Sequence, residues 1–137
     1  MTSHHLERSG RHLSLASLSA LVCVSLCYSR KTAKENTHES DHNYILAEFV
    51  PLAQIRGLPR LLTLELSQNL LTDDSVEVVW VDDQLHGQAL ELLHTRNDKT
   101  YSLCDAVSFL LMRDRDISDA LTTDKHFEQE GFVRLLK

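Results

Sequence analysis

Three carboxylates stand apart from the other acids because of their neighbours. Glu48 lies between Ala47 and Phe49-Val50 in an otherwise apolar stretch. Asp105 belongs to Ser102-Leu103-Cys104-Asp105, which leads into Val107, Phe109, Leu110 and Leu111. Asp124 follows Ala120-Leu121-Thr122 and precedes Lys125-His126-Phe127. That is the carboxyl end of an expected strand, where α/β folds place their sites. A carboxylate in an apolar setting is costly unless it is paired or binds a cation. Converging, the three would form a hard oxygen-ligand site suited to Mg²⁺ or Mn²⁺. Each also has a simpler reading: Asp105 as a helix cap, Asp124 as a turn residue, Glu48 as a partner of Arg56 or another basic residue. Asp73, Asp74, Asp82, Asp83, Asp114, Asp116 and Asp119 read as solvated turns and helix ends. His126 could contact phosphate but reads more simply as a surface histidine, and Trp80 and Phe109 read as core.

The elements that must position these acids follow from spacing. Ile45, Leu46, Phe49, Leu52 and Ala53 predict a helix, with Pro51 implying a kink or a start nearer Pro51. Gly57 ends it. Pro59 opens a second helix whose apolar face is Leu61, Leu62, Leu64, Leu66 and Leu70. Residues 76–81 are β-branched and form the best strand. Asp82 or Asp83 caps the next helix, and Ser102-x-x-Asp105 has the form of a capping box for another. Residues 117–122 and 132–136 fit short strands. Strands alternating with helices predict an α/β layered fold with a mostly parallel sheet.

Composition bounds the reading. The chain has 137 residues, which is one domain's worth and excludes a multidomain machine. Hydrophobic residues at 42% and charged residues at 25% exclude a wholly disordered chain. A net charge of -6 excludes a generic basic nucleic-acid coat, though not a locally basic groove. Arg56, Arg60, Arg96, Lys99, Arg113, Arg115 and Lys125 are the candidates for such a rim. Cys23, Cys27 and Cys104 form neither a disulfide framework nor a CxxC pair, which fits a reducing compartment.

The first 34 residues differ in kind. They carry Arg8, Arg11, Arg30, Lys31 and Lys34 against Glu7 alone, whereas acids dominate the remainder. Residues 13–28 (LSLASLSALVCVSLCY) admit three readings: a buried strand and short helix, a signal or anchor, or a segment foreign to the fold. They are too short and too rich in serine for a membrane span, so no membrane partner is expected. Residues 1–37 are set apart as an atypical segment, and 38–137 as the domain.

Four pieces, in this order and spacing, resemble one family: NYILAEF (43–49), VEVVWVDDQL (76–85), DKTYSLCDAVSFLLMRD (98–114) and ALTTDKHFEQEGFVRL (120–135). The stretch 44–137 is similar to PIN-domain proteins, in particular the VapC-type toxin ribonucleases of bacterial toxin–antitoxin pairs. The resemblance implies a PIN-like α/β/α sandwich around a mostly parallel central sheet. It implies that Glu48, Asp105 and Asp124 bind Mg²⁺ (or Mn²⁺) and that a metal-activated water cleaves RNA. It also implies a cognate antitoxin, a homodimer and a cytoplasmic location. The family begins with a strand ending in an Asp-Thr-Ser-like motif, yet no Asp precedes Asp41 here. The nearest match, residues 15–22, puts Ser17 or Leu18 at the acid's position. The alternative function is therefore a catalytically impaired PIN remnant that binds protein or RNA.

Overall fold

Strands that run in the same direction need a crossover between them, and this chain places helices at each such point. The computed structural model describes residues 26–29, 38–74 and 76–136. β1 (Leu26–Ser29) and β2 (His38–His42) are followed by α1 (Asn43–Ile55) and α2 (Arg60–Thr72). β3 (Val76–Val79), α3 (Asp83–Thr95) and α4 (Leu103–Asp114) come next, then β4 (Asp119–Leu121), α5 (His126–Gln129) and β5 (Val133–Arg134). The sheet order is β3-β2-β1-β4-β5. β2 pairs parallel with β3, and β4 with β5, while β1 runs antiparallel to both β2 and β4. Four strands thus share one direction, and their carboxyl ends share one edge. α1 leaves that edge with Glu48, and the turn after β4 delivers Asp124 to it.

β1 lies inside the basic N-terminal segment, so residues 26–28 of the 13–28 stretch are strand. Residues 15–22, the nearest match to a family first strand, lie outside the described residues. Among the described residues no helix is long and apolar enough to cross a membrane.

Local chemistry accounts for most element ends. Asp82 caps α3 by accepting the Leu85 N–H at 2.8 Å. Pro59 stands at the N-cap of α2, where its missing N–H costs nothing. Gly57 has φ +76°, the left-handed conformation that lets the chain turn between α1 and α2. α1 continues through Pro51 and neither ends nor starts there, because Ile45, Phe49 and Ala53 bury one face across the proline.

Two expectations about burial are corrected. Trp80, expected in the core, is 67% exposed; it follows β3, the end strand of the sheet among the described residues. On α2 only part of the leucine face turns inward. Leu66 and Leu70 pack on the core formed by Ile45, Phe49, Ala53, Cys104 and Leu121, while Leu61 is 71% exposed. Phe109 meets its expectation: it has no exposed surface and packs edge-on against Tyr101 and Phe127. α4 is the buried centre of the molecule, with Cys104 to Phe109 all inside.

His42 closes β2 without exposed surface, its Nε2 2.8 Å from Ser108 Oγ on α4. Burial lowers its pKa to about 4, with the Cys104 backbone acting weakly in the other direction, so the imidazole is neutral in the fold. The unfolded chain takes up this proton near pH 6.5. His42 therefore favours folding above that pH, and the contribution is lost as pH falls toward about 4. From pH ~7 to pH ~5.5 the expected loss is about 1 kcal/mol. Urea midpoints at both pH values should fall less in His42→Asn than in the parent chain. Equal falls would remove His42 as the cause.

Candidate metal centre

α4 opens with a full capping box. Ser102 Oγ accepts the Asp105 N–H at 3.0 Å, and Asp105 Oδ2 accepts the Ser102 N–H at 3.1 Å. The cap reading of Asp105 is therefore correct, and it does not compete with a site role. The same nearly buried carboxylate is held in one orientation and also faces the turn after β4.

That turn is built to present Asp124. The Asp124 N–H donates to Thr122 Oγ1 at 2.9 Å, and Thr122 is buried. Asp124 Oδ1 accepts the His126 N–H at 2.9 Å, the two-residue backbone bond that makes Asp common in turns. From β5, Arg134 donates to the Thr123 carbonyl at 2.9 Å and to Glu128 at 3.0 Å, which fixes the turn from behind.

His126 joins the two acids. Its Nδ1 lies 3.1 Å from Asp105 Oδ2 and 3.4 Å from Asp124 Oδ2. Its Nε2 is 3.1 Å from Thr100 Oγ1, and its ring stands edge-on to Tyr101 at 5.1 Å. One ligand atom from each of Asp105, Asp124 and His126 falls within 4.8 Å of the others. Two carboxylates and an imidazole at that separation fit a divalent cation. From sequence His126 offers at most a phosphate contact, and its place between the two aspartates was not legible there. The signal that could have found it is its place two residues after Asp124, where the Asx turn folds the ring back over the carboxylate.

Glu48 stays outside this tight group but within its field. Partial desolvation raises its carboxyl pKa and the Asp105 charge adds to the rise, while a hydrogen bond with the Cys104 thiol opposes both. Among the described residues the Cys104 thiol, not a basic side chain, is the hydrogen-bond partner of Glu48. Burial first, then the Glu48 and Asp41 charges, push the Cys104 thiol far above its ordinary range. Cys104 is thus a neutral donor to Glu48, a role with no signature in the sequence.

The basic candidates for a rim are largely committed elsewhere. Arg96 and Arg113 both bind Glu130, which also accepts from the Tyr101 hydroxyl. Burial alone would raise the Glu130 carboxyl, but the two arginines and the tyrosine hold it below its usual range. Arg115 is forked on Glu77 and reaches Ser40. Among the described residues Lys99 pairs with its exposed neighbour Asp98 alone, at 3.5 Å.

No family model matches the chain. It is 34% identical over 93 residues to the 23S rRNA-specific endonuclease VapC20 of Mycobacterium tuberculosis, covering 68% of this chain and 70% of that relative. The same relative from a second strain matches to the same extent. The crystal structure of Mycobacterium tuberculosis VapC20, described as a Sarcin-Ricin loop cleaving toxin, superposes with a TM-score of 0.67 and 28% identity. The superposition covers 77% of this chain and 79% of that one. With a relative this similar over most of both chains, and a matching α/β fold, the chain belongs to the VapC family of PIN-domain toxins.

Proposed function

We propose that the chain is a divalent-metal-dependent endoribonuclease that hydrolyses RNA phosphodiester bonds as the toxin of a type II toxin–antitoxin pair. The observation that carries this reading is the meeting of Asp105, Asp124 and His126 at one edge of the sheet, in a relative of a 23S rRNA-specific endonuclease. Asp105 and Asp124 would hold Mg²⁺ or Mn²⁺, with Glu48 adding negative charge beside them. An ion bound there supplies an activated water and compensates charge on the phosphate. The chain's own groups keep the site rigid. The capping box orients Asp105, Thr122 and Arg134 fix the turn that carries Asp124, and His126 sets the spacing of the two carboxylates.

The partners follow from the same reading: RNA as substrate, a cognate antitoxin, and a second copy in a homodimer, all in the cytoplasm. Leu61, Leu64 and Leu71 lie exposed along one side of α2, with Ile55 exposed at the end of α1. An apolar stripe of that kind suits contact with another protein chain.

The test is incubation of the purified chain with a mixed RNA pool. Fragments are expected with Mg²⁺ or Mn²⁺, and are expected to disappear with EDTA and in Asp124→Asn. Cleavage that survives in Asp124→Asn would overturn the assignment. A second reading, a catalytically impaired remnant that binds protein or RNA, is favoured by the absence of any Asp before Asp41.

A further inference from the structure

An acidic cleft in a chain of net charge -6 repels RNA unless cations stand beside it. Several arginines are already neutralised by well-placed acids: Arg96 and Arg113 by Glu130, Arg115 by Glu77, and Arg134 by Glu128. Arg60 opens α2, an element that packs on α1 and β3. Two lysines differ. Lys125 is exposed between Asp124 and His126, and among the described residues it forms no ion pair. Lys99 is exposed, and among the described residues its one ion pair is with Asp98, itself 66% exposed. A pair of that kind contributes little and is readily exchanged for a better anion.

We propose that Lys99 and Lys125 form a two-pronged clamp for RNA phosphates on one rim of the Asp105–Asp124–His126 site, an assignment that rests on the ribonuclease reading above. Geometry brings the two together. Lys99 is next to Thr100, Lys125 is next to His126, and Thr100 Oγ1 is bonded to His126 Nε2 at 3.1 Å. That bond ties the segment before α4 to the start of α5, so the two lysines stand on adjoining segments beside the site. Thr100 and His126 supply the spacing, and the lysines supply charge. An ammonium group binds phosphate as a compact point charge and reads no base, so the clamp positions RNA without selecting sequence.

The experiment measures binding of a labelled single-stranded RNA of mixed sequence to the full chain across a salt series. Ca²⁺ replaces Mg²⁺ to hold back cleavage. Each phosphate contact on a single strand contributes about 0.7 to the slope of log K against log salt. Lys99→Ala and Lys125→Ala are each expected to lower the slope by about 0.7 and the double variant by about 1.4. At ~0.1 M salt each single loss corresponds to roughly fivefold weaker binding. Lys→Arg at either position should keep the slope, and the melting rise given by Mn²⁺ should persist in every lysine variant. Unchanged slopes in the alanine variants, with the parent chain binding RNA and cleaving it, overturn the clamp alone. A parent chain that binds no RNA at any salt overturns the clamp and the ribonuclease reading together.

Discussion

Mn²⁺ is expected to raise the melting temperature of the chain, and the Asp105→Asn, Asp124→Asn double variant is expected to show no such rise. In the ion-free chain two carboxylates face one imidazole, with Glu48 close enough that the Asp105 charge raises its pKa. A divalent ion relieves that crowding of like charge. It binds the folded chain and not the dispersed ligands of the unfolded one, so it stabilises by roughly RT ln(1 + [L]/Kd), about 1–3 kcal/mol at saturating ion. For a chain of this size the rise is on the order of 3–10 °C. The variant controls for the structural part of the argument. An asparagine oxygen can still accept the Ser102 N–H that Asp105 accepts now, so the cap on α4 survives while the charge is lost. Glu48→Gln should reduce the rise by less than either aspartate change, since Glu48 lies outside the tight group. Equal rises in the parent and the double variant, measured by thermal melting, would sink the site assignment.

The parts of this molecule that were legible in the sequence are those encoded locally. Ser102 and Asp105 lie three residues apart ahead of an apolar run, and they form the capping box that this spacing predicts. Val76 to Val79 is β-branched and is a strand, and Asp82 caps α3. Asp124 stands just past a short strand because the polar run that follows Leu121 cannot continue it. What was not legible depends on contacts far apart in the chain. Nothing near Trp80 says that β3 is the end strand among the described residues, so its exposure goes with the strand order. Pro51 removes one backbone donor from α1, yet the burial of Phe49 and Ala53 outweighs that loss. The direction of β1 is likewise a long-range matter, since an apolar run pairs in either orientation. His126 gains its role only when α4 meets the turn after β4, and Cys104 gains its role only when α4 meets α1.

Ribonuclease activity of the chain as it stands is expected to be weak in Mg²⁺ and stronger in Mn²⁺. The physical reason lies in the middle of the sheet. β1 occupies the central place between β2 and β4 but runs against both, so its carboxyl end points to the edge opposite Asp124. The family resemblance implies a first strand that brings an Asp to the acidic edge, whereas residues 1–40 hold no Asp. One hard oxygen ligand fewer weakens the hold on Mg²⁺ and loosens the alignment of water and phosphate. A misplacement of about 1 Å costs on the order of 100-fold in rate. Mn²⁺ is bound more tightly by mixed oxygen and nitrogen ligands, and Asp105, Asp124 and His126 are such a set. Replacing residues 1–37 with a parallel first strand ending in Asp-Thr-Ser should therefore raise Mg²⁺-dependent cleavage by about 100-fold. The measurement is the rate of cleavage of a mixed RNA pool by the parent chain, by Asp124→Asn and by this chimera, each in Mg²⁺ and in Mn²⁺. Strong Mg²⁺-dependent cleavage by the parent chain, lost in Asp124→Asn, would show that the three acids already present suffice. A chimera that folds, takes up Mn²⁺ and still leaves RNA intact would instead favour the binding-module reading, because a completed acidic edge would then have failed to restore the chemistry.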